Sequence, residues 1–291
     1  SGRMSIAVVC NVPDGVVIGA DSAITVAGPH GVFKVFEDAE KVFALRHGGT
    51  GLEECYAAAA TYGLGLIGTR TVEAYVRDFC DRKGGQLAKL QIKEACQELH
   101  DWLEARYEEE VRPRVEQQRG LPLEKIPAQE RPMLGVAVAG YSPDCDSPEV
   151  WNTQIPRPAQ GDMVQQYKAP GQFGVSWWGF VSPVTRFVKG FEPALASAID
   201  YLVKKHNVQL GEDEKQEFNR LVGQSEWQIP YEAMPLQEAV NLTKFVLSLS
   251  INWARFHVGA PVCGGPIRLA VISRGGGFEW VQQPKLEVRP I

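Results

Sequence analysis

The chain opens, within its first few residues, on SIAVVCNVPDGVVIGAD (residues 5–21). Two short runs rich in β-branched residues lie on either side of Val12-Pro13-Asp14-Gly15. Such runs flanking a Pro-Asp-Gly turn signal predict an antiparallel hairpin with strands over 6–10 and 16–20. The hairpin sets a hydroxyl, Ser5, at the head of one strand and a carboxylate, Asp21, at the foot of the other.

The rest of the chain is organised in blocks. Further strands are predicted over 41–45 and 56–62, the second ending in Gly63-Leu64-Gly65. A helix capped by Thr69 or Thr71 runs to about Lys83. A longer helix is expected over 86–118, with Leu87, Leu90, Ala95, Leu99, Leu103 and Tyr107 at helical spacing against a charged face. Residues 120–132 hold three prolines and read as a loop. Strands follow over 133–141, 149–155 and 172–180, with a turn at Ser142-Pro143-Asp144. A helix over 183–205 comes next, then a charged surface insertion at about 207–231 carrying a short helix. The last helix spans 236–256, with Leu236, Val240, Phe245, Leu249 and Trp253 near one face. The closing hairpin, 267–272 with 278–281, turns at Arg274-Gly275-Gly276-Gly277.

Strands, two helices, strands, two helices, strands is not the alternation of a doubly wound fold. It predicts an α+β class and a four-layer αββα sandwich, with two stacked antiparallel sheets flanked by helices. Residues 5–291 are expected to form one domain. Ser1, Gly2 and Arg3 precede Met4 and read as a cloning remnant. The natural start is then Met4, and the small serine that follows permits removal of that methionine, leaving Ser5 first.

Composition excludes several classes. With a net charge of -5 and no Lys/Arg stripe, no nucleic-acid footprint is expected. The longest apolar runs fall far short of the roughly 18–20 residues that span a bilayer, so no membrane segment is expected either. Cys10, Cys55, Cys80, Cys96, Cys145 and Cys263 include no CxxC pair and no histidine at ligand spacing. Neither a metal site nor any cofactor is read from them; buried free thiols in a reducing compartment, the cytoplasm, fit better.

SIAVVCNVPDGVVIGADSAIT, EKVFAL and TYGLG together resemble the opening of proteasome β-type subunits and their bacterial relatives in the N-terminal-nucleophile hydrolase superfamily. MLGVAVAGY is similar to the central strand of that family. MPLQEAVNLTKFVLSLSINWARF with GGPIRLAVISRGGGFEWV is similar to its last long helix and closing hairpin. The likeness covers most of the chain and is poorest over 207–231. It implies Ser5 as nucleophile, Asp21 sixteen positions on as the family's aspartate, Lys41 as its lysine, and Gly63 as an oxyanion-hole N–H. It also implies that the Thr25 backbone pairs with a substrate strand; Tyr62, beside Gly63, is a candidate pocket residue. Self-association into rings follows from the same likeness, whereas an ATPase partner is left open.

The chemistry is coherent on its own terms. A serine hydroxyl needs a base near neutral pH. An amino-terminal serine carries one, since its α-amine titrates at about 7.7–8.0. Lys41 beside the hydroxyl would lower its pKa, and Asp21 would keep the ammonium charged and oriented. The expected function is an amide hydrolase, a peptidase first of all, passing through an ester to Ser5. A non-catalytic assembly or binding subunit and a non-peptide amidase are the alternatives, because fold does not fix substrate. With Met4 in place the Ser5 amine is blocked, and the mechanism predicts an inactive chain.

The sequence also departs from the family. Serine replaces the commoner threonine, and Ala23 stands where an arginine is usual. The distal serine and Asp-x-x-Ser elements have no clean match, although Ser182 and Cys263 lie in the right neighbourhoods. Cys10, mid-strand, reads as core filler. Trp177-Trp178 reads as packing more than as a ligand stack. His30 and His47 fall in loops near the expected site.

Overall fold

A computed structural model describes residues 5–28, 31–46, 51, 54–158, 161–209, 211–258 and 262–283. His30 and His47 lie outside the described residues. The opening hairpin forms as expected: β1 (Ile6–Val12) pairs with β2 (Gly15–Ala20), with Ala7 opposite Ala20 and Val12 opposite Gly15. The next hairpin, β3 (Ile24–Gly28) with β4 (Gly31–Phe36), has no counterpart in the sequence reading. Then come β5 (Val42–Ala44), β6 (Ala57–Gly63) and the short pair β7 (Leu66–Ile67) and β8 (Arg70–Thr71). The alanine-rich run 57–60 is a strand despite its helix propensity, because small side chains suit a site buried on both faces.

Helix α1 (Val72–Lys83) starts where Thr71 Oγ1 accepts from the Ala74 N–H at 3.2 Å. The single helix expected over 86–118 is instead three pieces: a 3₁₀ segment (Gly84–Lys89), α2 (Ile92–Glu110) and α3 (Arg112–Arg119). Two local causes set the breaks. Glu94 accepts from the Gln91 N–H at 3.0 Å in a reciprocal capping box, and Pro113 can only open a new first turn. The 120–132 loop contains two 3₁₀ turns (Leu123–Lys125 and Ala128–Glu130). Strands β9 (Leu134–Gly140), β10 (Glu149–Ile155) and β12 (Gly174–Gly179) fall where expected; β11 (Val164–Lys168) is additional. The helix expected over 183–205 is also divided. α4 (Ser182–Lys189) ends on Gly190 at φ 78°, and α5 (Pro193–Lys205) restarts on a proline. α6 (Glu212–Gly223), α7 (Leu236–Phe256), β13 (Arg268–Ser273) and β14 (Gly277–Gln282) complete the order.

Two five-stranded antiparallel sheets result, in the orders β12-β1-β2-β13-β14 and β11-β10-β9-β6-β5. One core cluster takes Ala7, Val9 and Ile18 from the first sheet and Ala58, Ala60 and Ala137 from the second, so the sheets bury a shared interior. α7 packs against β1 and β2, and α2 packs against β9 and β10. β1 and β2 are therefore buried at every position, as strands covered on both sides must be. Gly19 shows how close α7 comes. A Cβ there would stand 2.7 Å from Leu247 Cδ1 and from Leu269 Cδ1, distances no methyl can hold.

The chain divides into two compact units, residues 1–180 with 231–291, and residues 181–230. In the second, the Trp227 N–H donates to the Val188 carbonyl at 2.8 Å and the Trp227 ring meets Phe187 edge-on at 4.8 Å. Ser182 Oγ donates to the Glu192 carboxylate at 2.9 Å, tying the start of α4 to the start of α5.

Candidate active site

The hairpin register brings Ile6 opposite Asp21, and the Asp21 N–H donates to the Ile6 carbonyl at 3.1 Å. Ser5, one residue further out, is fixed through its own carbonyl, which accepts from the Phe180 N–H at 2.7 Å beyond the end of β12. Lys41 arrives from the other sheet, at the head of β5, with its carbonyl held by the Thr61 N–H at 2.8 Å. One sheet thus supplies a hydroxyl and a carboxylate, and the other supplies an ammonium.

The three side chains meet. Lys41 Nζ donates to Ser5 Oγ at 2.5 Å and to Asp21 Oδ1 at 2.9 Å. Ser5 Oγ in turn donates to Asp21 Oδ1 at 2.9 Å. Asp21 also accepts backbone N–H groups: Ile6 at 3.0 Å on Oδ1, and Gly264 at 3.1 Å and Ala23 at 3.3 Å on Oδ2. Ser5 and Asp21 are wholly buried, and Lys41 is 4% exposed. A carboxylate taken out of water at that depth needs this many donors, and the ammonium supplies its counter-charge. With its proton directed at Asp21 and its oxygen against a cation, Ser5 Oγ is polarised toward alkoxide character.

Gly63 ends β6 at φ +90°, where a side chain would run into the Met133 carbonyl, so glycine is required there. It borders a cleft of about 410 Å³ that Lys41, Thr61, Leu64 and Ile24 also line. Thr25 is half-buried in β3, opposite Val35; its neighbours Ile24 and Val26 share the cleft face, and strand alternation turns the Thr25 side chain the other way. Tyr62 borders the cleft too. Its ring, however, is 1% exposed, stacks on Trp178 at 6.3 Å and donates its hydroxyl to Asn152 Oδ1 at 3.1 Å, which makes it a piece of the inter-sheet core.

Other residues singled out in the sequence find structural places. Cys10 is buried and its thiol is pushed up to about 12 by burial, the opposite of an activated nucleophile. Trp178 also meets Tyr167 edge-on at 4.9 Å. Cys263 is buried beside the Asp21 carboxylate; burial and that negative charge raise its thiol, which donates to the Ser250 carbonyl at 3.4 Å. Sequence reasoning missed the Gly264 and Ala23 amides, since backbone donors leave no side-chain signature. It also missed His100. That ring is buried on α2 against Thr153 Oγ1 at 2.7 Å and accepts from Arg157 Nε at 3.2 Å. Among the described residues His100, Asp101 and Glu104 form a possible metal-ligand group, but Arg157 already clasps Glu104 through two bonds of 3.0 and 2.8 Å.

No family model and no curated protein matches the chain. Its structure, though, is similar over 95% of its length to the Anbu (Gly-1) mutant from Hyphomicrobium sp. strain MC1, over 87% of that chain, with a TM-score of 0.51 and 11% identity. Anbu is a bacterial proteasome-like protein of the N-terminal-nucleophile hydrolase fold. At that identity the likeness shows fold alone: this is a mixed α+β chain with antiparallel sheets and helices, proteasome-like at the coarse level. Among the described residues, no helix is long and apolar enough to cross a membrane.

Proposed function

We propose that this chain is a proteasome-like amide hydrolase, a peptidase, whose nucleophile is Ser5 Oγ once Ser5 has become the amino terminus. The observation that carries the reading is the Lys41 ammonium 2.5 Å from Ser5 Oγ, with Asp21 bonded to both. The freed α-amine takes the hydroxyl proton, Oγ attacks the substrate carbonyl, and Lys41 stabilises the developing negative charge on oxygen. The Gly63 N–H is assigned to the tetrahedral oxyanion, a role worth roughly 3–4 kcal/mol in comparable sites. Collapse expels the amine product and leaves an ester to Ser5, which water cleaves. Thr25 is assigned to backbone pairing with the substrate and Tyr62 to packing behind the cleft.

The packing of α7 on β1 and β2, the shared inter-sheet core and the packing of α2 on β9 and β10 support a four-layer αββα order. Proteasome-like relatives support assembly with further copies of the chain. Six free cysteines fit a reducing compartment.

A second reading has its own support. Ser5 has no exposed surface, as suits a non-catalytic assembly subunit. The two separate on protein released with Ser5 first, its mass confirmed by spectrometry and incubated with fluorogenic peptides. Turnover that disappears in Ser5→Ala is the expected result. Equal rates in the two proteins, or none in either, would leave the assembly reading.

A further inference from the structure

The cleft beside the triad carries an unbalanced charge. Four of its lining residues are acidic: Glu37, Asp38, Glu40 and Glu73. Among the described residues of the lining the single basic one is Lys41, whose ammonium is committed to Asp21 and Ser5. Outside the lining, Arg77 reaches Glu73 at 3.0 Å and Glu40 at 3.6 Å, so one guanidinium is divided between two carboxylates. The excess is felt at Glu40. Burial first and the neighbouring Glu73 charge second push its carboxyl up, while Arg77 and Arg268 pull it back.

The remaining walls are apolar, with Ile24, Val26, Leu64 and Leu66 among them. A volume of about 410 Å³ lies within the range of small-molecule sites, roughly 300–1,000 Å³. An apolar passage with an acidic complement suits a long aliphatic stem ending in a cation, which lays its methylenes on the walls and its charge among the carboxylates. An acidic side chain would meet like charge there. A purely aliphatic one would bring no charge to complement the acidic lining.

We propose that this cleft is a specificity subsite for a lysine- or arginine-type side chain on the residue that supplies the attacked carbonyl. Because Lys41 and Gly63 both border the cleft, the side chain nearest the reacting carbonyl is the one placed in it. The proposal rests on the Ser5 hydrolase reading and names its substrate class.

The test uses Ser5-initiated protein and three otherwise identical fluorogenic peptides with arginine, leucine or glutamate before the scissile bond. The expected kcat/KM for arginine exceeds that for leucine by about tenfold or more, and glutamate is slowest. Glu40→Gln and Glu73→Gln should each reduce the arginine-over-leucine ratio, a readout that a general loss of folded protein does not move. Equal turnover of all three peptides overturns the subsite and leaves the hydrolase standing. If no peptide is cleaved, agmatine binding to the Ser5→Ala protein by calorimetry decides. Saturable binding that weakens in Glu40→Gln and Glu73→Gln supports the cationic subsite without catalysis. Absence of binding removes it.

Discussion

At the scale of single residues, the triad is a buried charge pair with a hydroxyl between its members, and its energetics follow from that. Asp21→Asn keeps the shape but strands the Lys41 ammonium at 4% exposure with no counter-charge. The expected loss of unfolding free energy is about 3–5 kcal/mol, read from denaturant midpoints at constant slope. Ser5→Ala removes one oxygen and leaves the ion pair, so its midpoint should stay far nearer the parent while hydrolysis is lost. An Asp21→Asn protein as stable as the parent would mean that Lys41 is not held as a charge. Gly63→Ala is a second case, because φ +90° and the Met133 carbonyl leave no room for a methyl. It should destabilise by roughly 1–3 kcal/mol. Two triad members were legible because hairpin register is local. Once the Pro13-Asp14 turn is fixed, Ile6 must face Asp21 and Ser5 must lie beside it. Lys41 came from the family likeness alone, since nothing in 41–45 says which strand end it will meet. The cleft carboxylates were illegible. They come from the segment after β4 and the first turn of α1, which only tertiary structure brings together.

Elements were legible where pattern and punctuation agreed. α7 begins and ends at the expected residues because Pro235 precedes it, but its buried face is not the one read from the sequence: Val240 is buried with Thr243, Val246, Leu247 and Ala254, whereas Phe245 and Trp253 are exposed. α2 was read too long because an apolar period passes smoothly through Pro113, and the capping pair Gln91 and Glu94 is polar, so hydrophobic spacing does not register either break. β3 alternates only over Ile24-Thr25-Val26 and β4, GVFKVF, does not alternate, so neither stood out as a strand. Within α2, His100 makes a pH dependence. Burial is the main cause that lowers its pKa from the ordinary value, with Arg157 acting the same way and Glu104 and Asp101 opposing. The folded ring therefore stays neutral at a pH where the unfolded one is already protonated. Between those two pKa values the unfolded state binds more protons, and stability falls as pH falls. Chemical denaturation from about pH 7 down to 5 should show this decline, beginning near the free histidine value of about 6.5. His100→Gln should flatten it. An unchanged slope would assign the decline to the carboxylates instead.

For the whole molecule, the strand and helix blocks were enough to anticipate a mixed α+β chain with antiparallel sheets, and the likeness to a proteasome-like chain at a TM-score of 0.51 agrees with that class at the coarse level. The sequence reading has one domain with a surface insertion at about 207–231 and no second compact unit; the grouping of residues 181–230 was not visible because the helical pattern crosses Gly190 and Pro193 without a change in periodicity. That unit differs physically from the sheets. α6 has no buried residue, and α5 shows Leu195, Ile199 and Leu202 at 53%, 36% and 52% exposure, four and three residues apart on one face. A helix exposing such a stripe gains little from the hydrophobic effect, so its amides should exchange with solvent at least about tenfold faster than those of β1, β2 and β9 in the isolated chain. An exposed apolar stripe on a helix is also what a second copy of the chain would cover. Sedimentation of the parent protein should therefore give a multiple of 32.1 kDa, and hydrogen exchange in α5 should slow as concentration rises. Ile199→Glu combined with Leu202→Glu should return the mass to that of one chain while the exchange rates of the sheets stay where they were. A parent protein that sediments as one chain at micromolar concentration, with α5 exchange independent of concentration, would remove self-assembly from the proposed function and leave the buried triad to act alone.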